Sequence, residues 1–224
     1  MKQAYFVTGT DTGVGKTLIA SALVYQFAQQ GLKAVGMKPI AAGCEFVNGQ
    51  WINEDVTQLM TASNVDADFK HINPYAFAPP IAPHIAAQQA DATISLDVIN
   101  DAFAKLGLLA DVVIVEGAGG FLVPLDGHRT MADIAEKLAT PVILVVGMRL
   151  GCINHALLTV EAILARGLKL AGWVANQLDP EMAVFEENIT SLKLRIHAPY
   201  LGLVSWSDEP LYQHVPILTE KLFA

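Results

Sequence analysis

A glycine-rich stretch at residues 9–17, GTDTGVGKT, carries side chains whose types and spacing suit phosphate binding. Backbone N–H groups in such a turn surround the phosphate oxygens of a nucleotide. Lys16 would neutralise the outer phosphates, and the Thr17 hydroxyl would ligate Mg²⁺. Gly13 and Gly15 would let the backbone approach the phosphates with no Cβ in the way. The stretch therefore predicts a P-loop that cradles the phosphates of a magnesium nucleotide.

The flanking sequence supports this prediction. Residues 5–8 are β-rich and apolar, and residues 18–29 have helical spacing, so the stretch lies between a strand and a helix N-terminus. That helix end adds its positive dipole to the site. One departure concerns the first glycine, because Thr10 stands where the usual spacing has glycine and Gly9 comes one residue earlier. The alternative is a glycine-rich connection without a ligand; Gly-Lys-Thr alone is common by chance, but the flanking strand and helix patterns favour the P-loop.

Three charged residues fall at other strand or loop ends. Glu116 directly follows the apolar run 111–115, where the acidic residue of a second nucleotide motif holds Mg²⁺ directly or through water. Asp55 could be a third Mg²⁺ partner, although Glu54 and Asp11 are equally good candidates by sequence. Lys38 precedes a proline and could reach a γ-phosphate or a developing anion. The alternatives are a turn carboxylate at Glu116 and a surface lysine at Lys38.

Two further positions could contact a ligand. A second glycine-marked helix start, with Gly151 and Asn154, follows a buried strand pattern, and helix N-termini bind anions including carboxylates. The alternative there is an ordinary turn and helix cap. Asn176 ends another strand, where its amide could bind an adenine edge, or it could be a turn asparagine.

The whole chain alternates between strand and helix patterns. Continuous apolar runs such as 111–115 and 141–146 are typical of parallel strands buried on both faces. The stretch 66–83, with four prolines, is expected to be a long irregular excursion. The pattern predicts an α/β fold with a doubly wound, mostly parallel sheet flanked by helices, of the P-loop NTPase type. The remaining strands are expected at 5–8, 33–37, 170–175 and 200–204, and the helices at 18–29, 53–62, 96–109, 130–138, 153–165 and 180–196.

Length, composition and charge limit the possibilities. With 224 residues, 53% of them hydrophobic, residues 1–224 are expected to form a single domain. The net charge of −8 and the absence of basic runs argue against nucleic acid as the main partner. No apolar run reaches membrane-spanning length, and no leader-like stretch precedes the first strand. Two cysteines far apart, Cys44 and Cys152, favour a reducing cytoplasm.

Together these motifs resemble one enzyme family. The motifs are GTDTGVGKT at 9–17, KPIAAG at 38–43, NPY at 73–75, APH at 82–84, VEGAGG at 115–120, GCINH at 151–155 and GWVAN at 172–176. Their order and spacing are similar to those of the dethiobiotin synthetases over nearly the whole chain, less closely after about residue 180. The resemblance implies a homodimeric, ATP- and Mg²⁺-dependent ligase that converts 7,8-diaminononanoate and CO₂ to dethiobiotin, the penultimate step of biotin synthesis.

The resemblance also implies residue roles. Lys16, Lys38 and Thr12 would be catalytic, and Thr17, Asp55 and Glu116 would hold Mg²⁺. The nucleotide would contact the residues of the P-loop and the helix start, which are Gly13, Val14, Gly15, Lys16, Thr17 and Leu18. It would also contact Glu116 and Gly119, and its adenine would contact Asn176. The substrate would lie near Ala42, with its carboxylate received across a dimer interface by Gly151, Cys152 and Asn154.

Four positions depart from the family pattern. Some relatives have a serine in place of Ala42 and a glutamate in place of Gly13. Asn188 falls where a substrate-contacting tyrosine is found, and residues 204–206, VSW, lack an expected proline. These departures bear on substrate affinity and nucleotide preference.

A partitioning or division-site switch ATPase is the alternative from another class. Those proteins share the fold and carry a lysine that reaches across the dimer, where this chain has Asp11. An aspartate would repel the partner's phosphates, so the pattern favours the ligase.

Overall fold

A computed structural model describes residues 3–223 of the chain. These residues form ten strands and eight α-helices. In chain order they are β1 (Gln3–Gly9), α1 (Lys16–Gln29), β2 (Ala34–Met37), β3 (Ile40–Ala42), β4 (Glu45–Val47), β5 (Gln50–Ile52), α2 (Glu54–Ala62), α3 (Phe69–Ile72), β6 (Tyr75–Phe77), α4 (Pro83–Gln89), α5 (Leu96–Leu109), β7 (Val112–Gly120), α6 (Met131–Lys137), β8 (Val142–Met148), α7 (Cys152–Ala165), β9 (Leu170–Gln177), α8 (Phe185–Arg195) and β10 (Tyr200–Val204).

The central sheet has six strands in the order β10-β9-β8-β1-β7-β2. All five neighbouring pairs are parallel. The side chains of β7 through Val115 and of all of β8 are buried, which explains why these strands are continuous apolar runs rather than alternating ones. The predicted fold, a doubly wound parallel sheet flanked by helices, is confirmed.

Helices cover both faces of this sheet. One face packs against α1 and α2, and α1 is apolar around most of its circumference because it lies between the sheet and the C-terminal segment. The other face packs against α5, α6, α7 and α8. Ile19 on the first face and Ile134 on the second are fully buried. The carboxyl edge of the sheet, where β1, β2 and β7 end, therefore lies between two well-packed layers of helices.

The region between β2 and α5 departs most from the expectation. Residues 66–83 are not one irregular excursion, because they contain α3 and β6, and β6 pairs in parallel with β3. Next to this pair, β4 and β5 form an unexpected antiparallel hairpin. Its turn is Asn48-Gly49, both with positive φ (52° and 86°), the conformation of a two-residue type I′ turn. The Asn-Gly dipeptide was the available signal for this hairpin.

The stretch 180–196, expected to be mostly helical, is helical from Phe185 to Arg195, after Val184 in a left-handed conformation (φ 49°). One other boundary was wrong, because strand β7 continues through Glu116 to Gly120, so this carboxylate lies within a strand rather than after one. The C-terminal residues pack along α1, where Gln26 Nε2 donates to Val215 O at 2.7 Å. Across residues 3–223 no helix is both long and apolar enough to cross a membrane.

Candidate active site

A cavity of about 660 Å³ opens at the carboxyl edge of the sheet, beside the loop between β1 and α1. Parallel α/β sheets bind their ligands at this edge. Ten of the residues singled out from sequence line it: Thr12, Gly13, Gly15, Lys16, Thr17, Lys38, Ala42, Asp55, Glu116 and Gly119. The remaining lining residues are apolar and were not assigned to the site individually: Ile40, Pro80, Ile81, Ala82, Pro83, Ala118 and Val123. Ile40, Ala82, Pro83 and Ala118 lie in the motifs named above, and the proline-rich stretch contributes Pro80 and Ile81.

The P-loop conformation depends on glycine at position 15. Gly15 has φ 89°, and a Cβ there would lie 2.3 Å from the Asn176 side-chain nitrogen. That nitrogen donates a hydrogen bond to Val14 O at 2.9 Å. Asn176, at the end of β9, is therefore in contact with the P-loop and 6% exposed. The structure brings together two site residues that are 161 positions apart in sequence.

The shifted first glycine of the P-loop has a packing explanation. A Cβ on Gly9 would lie 2.4 Å from Val14 Cγ2, so position 9 must be glycine for the buried Val14 to pack. At position 10 a side chain is accommodated, and the Thr10 hydroxyl accepts a hydrogen bond from Gly147 N at 3.3 Å. Val14 and Leu18 are both buried in the core, so only their backbone groups face the loop.

Lys16 lies inside the loop with only 6% of its surface exposed. Its Nζ donates to Asp11 O at 3.0 Å. Burial, followed by repulsion from the neighbouring Lys38, lowers the pKa of Lys16 to about 8. A weakly solvated ammonium in this position is well suited to bind phosphate oxygens, because they replace the water that burial has removed.

Lys38 is not a surface lysine. Its Nζ lies 2.6 Å from Glu116 Oε1 and 2.8 Å from Asp55 Oδ2, and it is 4% exposed. Glu116 Oε1 also accepts a hydrogen bond from Thr17 Oγ1 at 2.8 Å. Lys38, Asp55, Glu116 and Thr17 thus form one connected cluster, drawn from the residue after β2 and from α2, β7 and α1.

The charges in this cluster stabilise one another. Burial alone would lower the pKa of Lys38, but Glu116 and Asp55 outweigh burial and raise it. Burial likewise opposes ionisation of Asp55, yet Lys38 holds the pKa of that carboxyl below its usual range. Burial raises the pKa of Glu116, and Lys38 opposes that rise. Lys38 and Asp55 are therefore charged at neutral pH.

The structure distinguishes Asp55 from the two other carboxylates that the sequence left open. Asn53 caps α2, since its Oδ1 accepts from Asp55 N at 3.0 Å while its Nδ2 donates to Ala42 O at 3.1 Å. These two hydrogen bonds of the Asn53 side chain orient Asp55 toward the cavity and hold α2 against β3. Glu54 is exposed, and Asp11 forms an ion pair with Arg149.

The oxygen atoms of this cluster fit a magnesium ion. Glu116 Oε2 is buried and has no hydrogen-bond partner within residues 3–223. A buried carboxylate oxygen of this kind needs a cation or a polar ligand. Two carboxylates and a hydroxyl are the donor set that Mg²⁺ prefers.

The second glycine-marked helix start lies apart from this cavity. Gly151 precedes α7 with φ 95° and no side-chain cap, so the helix start carries N–H groups that no side chain satisfies. Asn154 is exposed, but the Cys152 side chain is buried, and its backbone N–H is bonded to Arg149 O at 3.0 Å. Gly151, Cys152 and Asn154 are absent from the described lining of the 660 Å³ cavity.

Solved structures show the same fold at low sequence identity. A ParA family ATPase from Chlorobium tepidum matches all of this chain and 90% of its own, with a TM-score of 0.56 and 10% identity. The MinD cell division protein of Aquifex aeolicus matches 98% of this chain and 93% of its own, with a TM-score of 0.55 and 15% identity. At these identities the likeness is one of fold.

Sequence relatives are much closer. A family model described as an AAA domain matches residues 3–210. The ATP-dependent dethiobiotin synthetase BioD of Nitrosospira multiformis is 57% identical over 93% of this chain and 90% of the relative. The protein of the same name from Aromatoleum aromaticum is 54% identical over 90% of each chain. Since identity at this level extends over nearly the full length, the chain belongs to the dethiobiotin synthetase family.

Proposed function

We propose that the chain uses ATP to convert 7,8-diaminononanoate and CO₂ into dethiobiotin, releasing ADP and phosphate. The observation that carries this proposal is the convergence of Lys16 and Lys38 on the P-loop cavity of a chain 57% identical to a dethiobiotin synthetase. The switch-ATPase alternative is not favoured, because the structures of that class share only the fold with this chain.

The reaction comprises three bond-forming steps. One amine of the substrate attacks CO₂ and loses a proton, which gives a carbamate. The carbamate oxygen then attacks the γ-phosphorus of ATP, ADP leaves, and a carbamic–phosphoric anhydride results. The second amine attacks the anhydride carbon and loses a proton, phosphate leaves, and the cyclic urea closes. Every step builds or moves negative charge, so positioned cations matter more than a strong base.

Within this proposal the two lysines act on different charges. Lys16, inside the P-loop, neutralises the β- and γ-phosphates. Lys38 stabilises charge on the transferring phosphoryl group and the carbamate, because it lines the same cavity as Ala42. Thr12 lies on the exposed lip of the loop, where its hydroxyl can donate to the carbamate.

Thr17, Asp55 and Glu116 would hold Mg²⁺. The support is the buried, unpartnered Glu116 Oε2 beside a hydroxyl and a second carboxylate. When bound, the ion neutralises negative charge on the nucleotide's phosphate oxygens. Backbone N–H groups of Gly13, Val14, Gly15 and Leu18 would surround those oxygens, and Gly119 would border them.

Asn176 would help to bind adenine. Its Nδ2 already donates to Val14 O, so the same side chain would hold the P-loop and contact the base.

The substrate carboxylate would be bound by a second copy of the chain. The start of α7, with Gly151, Cys152 and Asn154, would receive it across a homodimer interface. The support is a set of exposed leucines in the loop after β7, in the turn before α7 and on α7 itself: Leu122, Leu150 and Leu158 are 52%, 97% and 57% exposed, respectively. An exposed set of leucines of this kind is typical of protein interfaces. Leu158→Asp is expected to yield a monomer by light scattering and to raise the KM for the diamine; a dimer unchanged by this substitution would contradict the proposed interface.

The proposal includes one domain over residues 1–224 and a cytoplasmic location. In support, both hydrophobic clusters pack against the same central sheet, and Cys44 and Cys152 are free and buried.

The decisive experiment is detection of dethiobiotin by mass spectrometry, with MgATP, bicarbonate and 7,8-diaminononanoate as substrates. ADP release is measured with and without the diamine. We expect cyclic urea and diamine-dependent ADP release, both lost in Lys16→Ala and nearly lost in Lys38→Ala. Equal ADP release without the diamine and no cyclic urea would contradict the proposed reaction and favour a nucleotide switch.

A further inference from the structure

The backbone that carries Lys38 is paired with the neighbouring segment 72–75. Lys38 N donates to Ile72 O at 2.8 Å, and Tyr75 N donates to Pro39 O at 3.1 Å. Beyond these bonds the pairing continues as the parallel ladder of β3 with β6, where Ile40 lies opposite Tyr75. The position of Lys38 is therefore set by a short ladder outside the main sheet.

The Lys38 carbonyl takes its hydrogen bond from a side chain. Lys38 lies just before the ladder, which begins at the Ile40–Tyr75 pair, and its partner Ile72 ends α3. Asn73, the residue after α3, donates from Nδ2 to Lys38 O at 2.7 Å and to Tyr75 O at 3.0 Å. The Asn73 side chain thus joins the Lys38 backbone to the start of β6.

No solvent is in position to take over this role, because Asn73 is only 4% exposed. Without its amide, the Lys38 carbonyl would lose its donor in a buried place, and the chain would have to shift to satisfy it. A shift at the Lys38 backbone moves the ammonium, which lies at 2.6 and 2.8 Å from two carboxylates.

We propose that Asn73 is a positioning residue that holds the Lys38 backbone in place for phosphoryl transfer, by donating from its side-chain amide to the Lys38 carbonyl. The inference rests on the role proposed above for Lys38. A misplacement of about 1 Å in a group of this kind costs about 10²-fold in rate. Asn73→Ala should therefore lower kcat by about 10- to 100-fold, with the KM for ATP within about threefold of the wild-type value, since the P-loop is untouched.

Asn73→Leu separates hydrogen bonding from packing. Leucine has a similar branched shape but no donor for the Lys38 carbonyl, so kcat should fall as it does in Asn73→Ala. All rates are taken per folded enzyme, and Asn73→Ser is read in the same way if Asn73→Ala does not fold.

The matched control is Asn64→Ala. Asn64 also joins two segments through its side chain, accepting from Ala34 N at 2.8 Å and donating to Leu32 O at 2.9 Å, but at the other end of β2. It should lose stability without losing kcat. An unchanged kcat in Asn73→Ala, a wild-type kcat in Asn73→Leu, or an equal kcat loss in Asn64→Ala would overturn the proposal. Full activity in Lys38→Ala would instead refute the role of Lys38 itself.

Discussion

Replacement of Lys16 by methionine should abolish product formation and at the same time stabilise the nucleotide-free protein. The side chain is 6% exposed, and its ammonium has only the Asp11 carbonyl as a hydrogen-bond partner within the described chain. Methionine keeps the volume of the side chain and removes the buried charge. The site would then lose the ammonium that binds phosphate. The folded state would no longer carry the free-energy cost of burying that charge.

The magnitude follows from the lowered pKa. A shift of the Lys16 pKa from 10.5 to about 8 means that folding opposes protonation of this amine. One pKa unit corresponds to about 1.4 kcal/mol, so the charged form costs the folded state about 3 kcal/mol near neutral pH. Loss of the hydrogen bond to Asp11 offsets about 1 kcal/mol or more of this gain. We therefore expect Lys16→Met to raise the free energy of unfolding by about 1–2 kcal/mol.

The stability difference between Lys16→Met and the wild type should depend on pH in a direction that a change in packing would not reproduce. Because the folded pKa lies below the unfolded one, the cost in the wild type is complete below about pH 8 and disappears as pH rises through the unfolded value near 10.5. The unfolded state binds more protons in this window, so wild-type stability rises relative to that of the variant. The advantage of Lys16→Met should therefore shrink between about pH 8 and about pH 10.5.

The assay is denaturant unfolding of both proteins without nucleotide, at about pH 7 and about pH 10. Other titrating groups cancel in the difference between the two proteins. Lys105→Met, at an exposed position of α5, is the control and should change stability by no more than about 0.5 kcal/mol. A Lys16→Met protein that is less stable than the wild type at neutral pH, or whose advantage does not fall with pH, would refute this reasoning.

Three further substitutions test other parts of the site and fold. Gly15→Ala places a Cβ 2.3 Å from the Asn176 amide at φ 89°, so ATP affinity by calorimetry should fall about tenfold or more; unchanged affinity would mean that the loop adjusts freely. Glu116→Gln removes one of two carboxylates that pair with buried Lys38, so the free energy of unfolding should fall by up to about 3–5 kcal/mol. The Mg²⁺ concentration needed for ATP turnover should rise. Wild-type stability in this variant would argue against the pairing. Gly202→Ala directs a Cβ to 2.6 Å from a backbone carbonyl of the C-terminal segment, so the Tm should fall by several degrees, and a Tm within error of the wild type would show that this segment is loosely packed.

Local sequence was sufficient for the nucleotide-binding half of the site. The P-loop, the helix that follows it and the buried runs of β7 and β8 were all predicted, because each is encoded by neighbouring residues: glycines, a Lys-Thr pair, or an unbroken apolar stretch. Glu116 was predicted at the correct edge for the same reason. Family motifs then pointed to the reaction.

Tertiary structure decided the features that depend on distant partners. Whether Lys38 is a surface lysine or a buried ion is set by β7 and α2, which sequence alone does not place beside it. Asp55 and Glu54 differ only in the direction that the Asn53 cap gives them. The short strands β3 and β6 have little intrinsic preference and form because they pair with each other, so they were missed. Asn73 belongs to the NPY motif, but its role could not be recognised from sequence, because that role is a hydrogen bond to the backbone of a segment 35 residues away.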